Sequence, residues 1–137
     1  MLRELARVTK PGGRVVVRTR SNDIDWWVNI PVSRPLAKRV NALAPVIGAG
    51  VSKGSCADSG LYSRLTAAGL EPLIVGPQFA IYRHGERLST LLERLVTALS
   101  DKEARDCRVA VSNGERDGTL FVAEPFHCAV AEKPPTS

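Results

Sequence analysis

Aromatic side chains are scarce in this chain. Two Trp, two Tyr and three Phe are spread over 137 residues. Seven scattered rings leave little on which to stack bases, which argues against a single-strand nucleic-acid platform. Cysteine is also sparse. Cys56, Cys107 and Cys128 are far apart and odd in number, with no CxxC pair and no Cys/His spacing suited to zinc. This excludes a disulfide framework and a metal site as organising devices, and leaves isolated thiols in a reducing compartment. No apolar run reaches the length of a membrane span. The basic N-terminus is not followed by an apolar block, so no secretory signal is read and the expected location is cytoplasmic.

The composition itself is that of a globular domain with one core, 44% hydrophobic and 24% charged. Charge is uneven. The net charge is +5, and six of the first twenty residues are Lys or Arg against the single acid Glu4. Beyond Arg20 the basic residues disperse, so nucleic acid is not the favoured partner, although a basic nucleic-acid-binding fragment stays open as an alternative.

Along the chain, Leu2, Leu5 and Val8 mark one face of a short helix with Arg3, Glu4, Arg7 and Lys10 opposite. Pro11 ends it, and Gly12-Gly13 permits a sharp reversal. The run Arg14-Val-Val-Val-Arg18 lacks alternation and is expected to be a strand covered on both faces, in the middle of a parallel sheet. Ser21-Asn22-Asp23 favours a turn. Asp25, Trp26 and Trp27 follow, just past the strand's C-terminal end, where open α/β sheets place ligands. Ser33 and Pro35 suit the start of a helix running to Ala44, with Pro45 as its stop.

The glycine-rich run 45–57 does not make a phosphate loop, because Lys53-Gly54-Ser55 has the wrong order for one. Ser55 and Asp58 loosely match a capping box for a helix through Leu61, Leu65 and Ala68, and Gly69 suits its left-handed cap. Leu70–Tyr82 reads as a strand broken at Gly76-Pro77, hence an edge strand or a bulge. Leu88, Leu91, Leu92, Leu95 and Leu99 form the clearest amphipathic stripe. Ser100 and Glu103 open a second helix with Ala104, Cys107 and Val111 on its apolar face. Residues 119–123 and 126–130 read as one strand interrupted at Glu124-Pro125, and the tail 133–137 as frayed.

The segment Leu2-Arg-Glu-Leu-Ala-Arg-Val8 with Lys10-Pro-Gly-Gly-Arg-Val-Val-Val17 resembles the entry to the fifth strand of class I S-adenosylmethionine-dependent methyltransferases, in particular their methyltransferase type 11 branch. Leu61–Leu70, with its Ala68-Gly69-Leu70 step, is similar to the helix before that family's sixth strand. Gly118–Phe121 and Phe126–Pro134 are similar to its last strand. The resemblance implies an α/β fold, the C-terminal half of a Rossmann-like methyltransferase domain over residues 1–132. It would have three strands, Arg14–Arg18, Leu70–Tyr82 and Leu120–Ala131, the last antiparallel and inserted between the other two. Helices at 33–44 and 86–117 would help to cover a substrate cavity.

It also implies an S-adenosylmethionine cofactor and methyl transfer to a small-molecule acceptor. The family's glycine-rich cofactor loop has no counterpart here, since no GxGxG occurs, so no cofactor-binding residue is assigned. The chain is then expected to be truncated ahead of that loop and inactive alone. It is expected to self-associate or aggregate through an exposed central strand. Asp25, Trp26 and Trp27 are the candidates for substrate contact, with Asp25 as the better-placed acid. His84 and His127 have no acidic or nucleophilic motif nearby and are read as structural. No catalytic base is assigned. A non-catalytic interaction module is the other alternative.

Overall fold

A computed structural model of the chain describes residues 1–48 and 58–135. The capping residue expected at Ser55, residues 49–57 of the run expected as a loop at 45–57, and Cys56 lie outside the described residues. The elements are α1 (Leu2–Val8), β1 (Arg14–Arg20), β2 (Trp27–Asn29), α2 (Arg34–Gly48), α3 (Gly60–Ala67), β3 (Glu71–Tyr82), α4 (Glu86–Thr97), α5 (Asp101–Arg116) and β4 (Phe121–Glu132). The fold is α/β, with five helices and an open antiparallel sheet of four strands in which β1, β2 and β3 all pair with β4. The expected three strands become four because Trp27–Asn29 adds a short one. The last strand runs antiparallel to β1, in register from Arg14↔Glu132 to Arg20↔Phe126. It also pairs with β3.

Two compact units divide the chain. The first takes Met1–Asp23 with the described parts of Val51–Gln78 and Pro125–Ser137. Its core joins Leu2 and Ala6 of α1, Val15 and Val17 of β1, Leu61 and Leu65 of α3, and Ala129 and Ala131 of β4. Gly12 adopts φ +74°, which lets the Lys-Pro-Gly-Gly turn reverse. Its N–H donates to the Lys133 carbonyl at 2.8 Å, and the Lys133 N–H donates back to Gly13 at 2.9 Å. The helix α3 closes as expected at Gly69, φ +79°. The Leu70 N–H reaches the Leu65 carbonyl and the Gly69 N–H reaches Thr66, the two bonds of a Schellman cap.

The expectation that β1 is covered on both faces does not hold. Val15 and Val17 are buried, but Val16 between them is 73% exposed, on the same face as Arg14 and Arg18. Among the described residues β1 pairs antiparallel with β4, and no parallel neighbour is present. Strand alternation explains the outcome: three valines in a row must place one on the far face. Val8, at the end of α1, is exposed as well.

The second unit takes Ile24–Gly50 and Phe79–Glu124, described to residue 48 in its first segment. Here α2 packs on α4 and β2, and α4 on α5. Leu88, Leu91, Leu92, Leu95 and Leu99 are all buried. Each contributes up to about 2 kcal/mol through removal from water. Ser100 and Glu103 form the full capping box of α5.

Pro45 does not end α2, which continues to Gly48. Ala44 is fully buried and Ile47 packs on the core, and that burial outweighs the one backbone bond the proline removes. Nor do Gly76-Pro77 or Glu124-Pro125 break their strands. Pro125 belongs to neither the β1 nor the β2 register, so neither ladder needs its missing N–H.

Candidate functional site

The tryptophan pair is split by strand geometry. Trp27 opens β2, where side chains alternate between faces, and Trp26 just ahead of it is turned the other way. Trp26 is 5% exposed and Trp27 is 57% exposed. Trp27 instead meets Phe121 edge-on, ring centres 5.6 Å apart. Asp25 is exposed and lies outside the cavity lining. Of the three expected substrate contacts, Trp26 lines this cavity, and Asp25 and Trp27 are not among its lining residues.

That cavity, within the second unit, has a volume of about 330 Å³. This lies at the lower end of the range for small-molecule sites. Trp26 and Val122 supply apolar surface, and Tyr82 and Glu86 stand at the junction of β3 and α4. One face of α4 forms a wall, with Arg87, Leu88, Thr90, Leu91 and Arg94. The spacing 87, 90, 91, 94 is one helical stripe.

An ion pair between a buried carboxylate and an exposed guanidinium stiffens this wall. Glu124 on β4 is fully buried. Its Oε2 accepts from Arg87 Nε at 3.1 Å, from Arg87 Nη2 at 2.6 Å and from the Tyr82 hydroxyl at 2.9 Å. The hydrogen bonds to Glu124 raise the Arg87 pKa further, so its charge is permanent. Sequence reasoning missed this trio. Glu124 is separated by 42 residues from Tyr82 and 37 from Arg87, and an acid followed by proline reads as a loop. The available signal was an acid inside a run of strand-forming residues.

A second polar cluster sits in the first unit. His127 on β4 is 3% exposed. Its Nε2 meets Asp23 Oδ1 in a short hydrogen bond and lies 3.3 Å from Ser21 Oγ. Its Nδ1 is 2.9 Å from the Tyr62 hydroxyl. Ser21 Oγ also donates to Asp23 Oδ1 at 2.8 Å, and the Ser59 N–H donates to Oδ2 at 2.9 Å. Burial opposes the Asp23 charge, but these donors win and hold its carboxyl well below the usual range. Nε2 therefore carries the proton toward an ionised acid. Burial pushes the Tyr62 phenol up.

Ser, His and Asp here do not make a nucleophilic relay. Such a relay needs the acid and the nucleophile on opposite ring nitrogens, whereas Asp23 and Ser21 share Nε2. The cluster joins the end of β1, α3 and β4. Both ring nitrogens of His127 are engaged within the cluster, and the expectation that it lacks an acid nearby is overturned by Asp23. His84 is exposed in the turn between β3 and α4.

Among the described residues, no group of three His, Cys, Asp or Glu side chains could hold a metal ion, and no helix is long and apolar enough to cross a membrane. Cys107 is buried and unbridged, and Cys128 is unbridged.

No protein-family model matches the chain, and a search of curated proteins finds no match.

Proposed function

We propose that this chain forms the acceptor side of an S-adenosylmethionine-dependent methyltransferase acting on a small molecule, with the Trp26 cavity as the acceptor site. The single observation that carries this reading is the strand order around the Lys10-Pro-Gly-Gly13 turn. The turn feeds β1, and β4, antiparallel to β1, pairs with both β1 and β3. An antiparallel last strand paired with both supports the reading, because the sequence resemblance implies such a strand.

The described residues do not fit the cofactor itself. The polar groups just past β1, Ser21 and Asp23, are taken up by His127 and Ser59. The sequence contains no GxGxG. No step is therefore routed through the cofactor. What this chain's own residues do is bind and orient. Trp26 and the leucines of α4 exclude water from one side of an acceptor. The Arg87–Glu124–Tyr82 trio fixes the polar rim, so that little is left to reorganise when the acceptor arrives. Holding a reactant in place can lower a barrier by several kcal/mol, on the order of 7 in well-oriented systems.

The test is transfer of labelled methyl from S-adenosylmethionine to a panel of ring hydroxyls, amines and acids. The assay uses the product of the complete reading frame encoding these residues. Transfer that falls at least about tenfold in Trp26→Ala is expected. Neither transfer nor retention of S-adenosylmethionine by that product overturns the reading.

A second reading, a non-catalytic interaction module, draws on a different observation. β3 leaves Leu73, Ile74, Val75, Phe79 and Ile81 exposed, Ile74 at 66%. Exposed apolar rows of this kind mark contact surfaces. Concentration-dependent association in sedimentation, lost in Ile74→Lys, favours it. A monomer at all concentrations removes its support.

A further inference from the structure

The Trp26 cavity carries information about the class of its ligand, and this inference rests on reading that cavity as the acceptor site. Its polar lining is rich in donors. Arg87 spends Nε and Nη2 on Glu124, and Nη1 has no hydrogen-bond partner among the described residues. Arg94, two helical turns further along the same face of α4, has no ion pair among the described residues. Thr90 lies between them on that face. The rise per residue places the two arginines about 10 Å apart along the wall. The carboxylate in the lining, Glu86, sits in the first turn of α4, where the helix's free N–H groups already favour a negative charge. Glu124 is matched by Arg87. Arg94 is therefore the uncommitted charge of the site.

The rest of the lining is apolar. Trp26, Leu88, Leu91 and Val122 suit a ring system, and about 330 Å³ suits one or two rings. A cation is disfavoured beside two guanidinium groups. A planar carboxylate matches the fork of an arginine and can be gripped by two parallel N–H donors.

We propose that the cavity binds an aromatic carboxylate, its ring against Trp26 and its carboxylate on Arg94. The ring packs on the indole and the leucines of α4. The acid group reaches the open rim, where Arg94 is exposed to meet it.

Trp27→Phe leaves Trp26 as the sole tryptophan, because the chain has only two. In that background, quenching of Trp26 fluorescence is titrated with 4-hydroxybenzoate and with its neutral methyl ester at pH 7. Saturable quenching is expected, with the acid binding roughly fivefold to tenfold more tightly than the ester, as one exposed charge-assisted contact provides. Arg94→Gln, at an exposed position where folding is unaffected, removes that preference and leaves ester binding within about twofold. Circular dichroism checks the fold of each variant. Absence of saturable quenching, equal binding of acid and ester, or an acid preference that survives Arg94→Gln overturns the proposal. These readouts are binding alone. A failure of methyl transfer with the acid preference intact rejects the methyltransferase reading and keeps the ligand class, and the reverse outcome does the opposite.

Discussion

Two polar clusters, one in each compact unit and each centred on a buried side chain, are built from similar parts. Each combines a tyrosine hydroxyl, a carboxylate and a nitrogen-bearing side chain. In the first unit, Tyr62 and Asp23 occupy both ring nitrogens of His127, and Ser21 and Ser59 fill out the carboxylate. Each ring nitrogen is used within the cluster. In the second unit, Glu124 collects Arg87 and Tyr82, yet both of those side chains also line a cavity. A cluster whose donors and acceptors match one another acts as a cross-link. A cluster that presents its members to a cavity can pre-organise a site. Composition does not separate the two cases, but the accounting of each atom does.

The sharpest way to break this comparison is at Arg87. Arg87→Ala removes two charged hydrogen bonds from the fully buried Glu124, and stability should fall by about 2 kcal/mol in urea unfolding. Adding Glu124→Gln should restore part of that loss. A loss below about 1 kcal/mol would reduce Arg87 to a rim residue.

Similar in size is His127→Ala, which strands the Tyr62 hydroxyl and Asp23 together. A loss of about 2 kcal/mol is expected, with binding in the Trp26 cavity changed less than about twofold. A matching loss of binding would mean that the first cluster is no mere cross-link.

Smaller again is Asp23→Asn, at about 1 kcal/mol near neutral pH, discounted because Asp23 is partly exposed. Its sign with pH is fixed. The folded carboxyl lies below its ordinary value of 3.8. Its stabilisation is therefore present above that value and drains away as pH falls through it toward the lower folded value. The difference between wild type and Asp23→Asn should shrink from pH 7 to pH 3 in urea titrations. Trp27→Phe, at an exposed site, should cost less than about 0.5 kcal/mol.

Local signals in the sequence were read correctly where the cause is local. The Ser100–Glu103 box, the glycine cap after α3 and the leucine stripe of α4 each depend on residues within a few positions. The helix continuing through Pro45 was not legible, because what holds it is the burial of Ala44 and Ile47 against distant elements. The outward face of β1 could have been seen: Arg14 and Arg18 flank Val16 at a spacing of two, and charges on that face mark it as wet. Trp26 was identified as a candidate, and strand alternation should have separated it from Trp27. Neither polar cluster was legible. Asp23 and His127 are 104 residues apart in sequence, and only the β1–β4 register, which sets Thr19 opposite His127, brings them together.

That register also sets the order in which the chain can acquire structure. In β1, Arg14 finds its partner Glu132 118 residues later, so the first unit closes only when almost the whole chain is present. The helices α4 and α5, by contrast, are neighbours in sequence and pack on each other. Loops that long are slow to close, whereas contacts between adjacent helices form early. During synthesis the second unit's helical hairpin can fold while β1 still waits, with its valines unpaired, for the last strand to emerge.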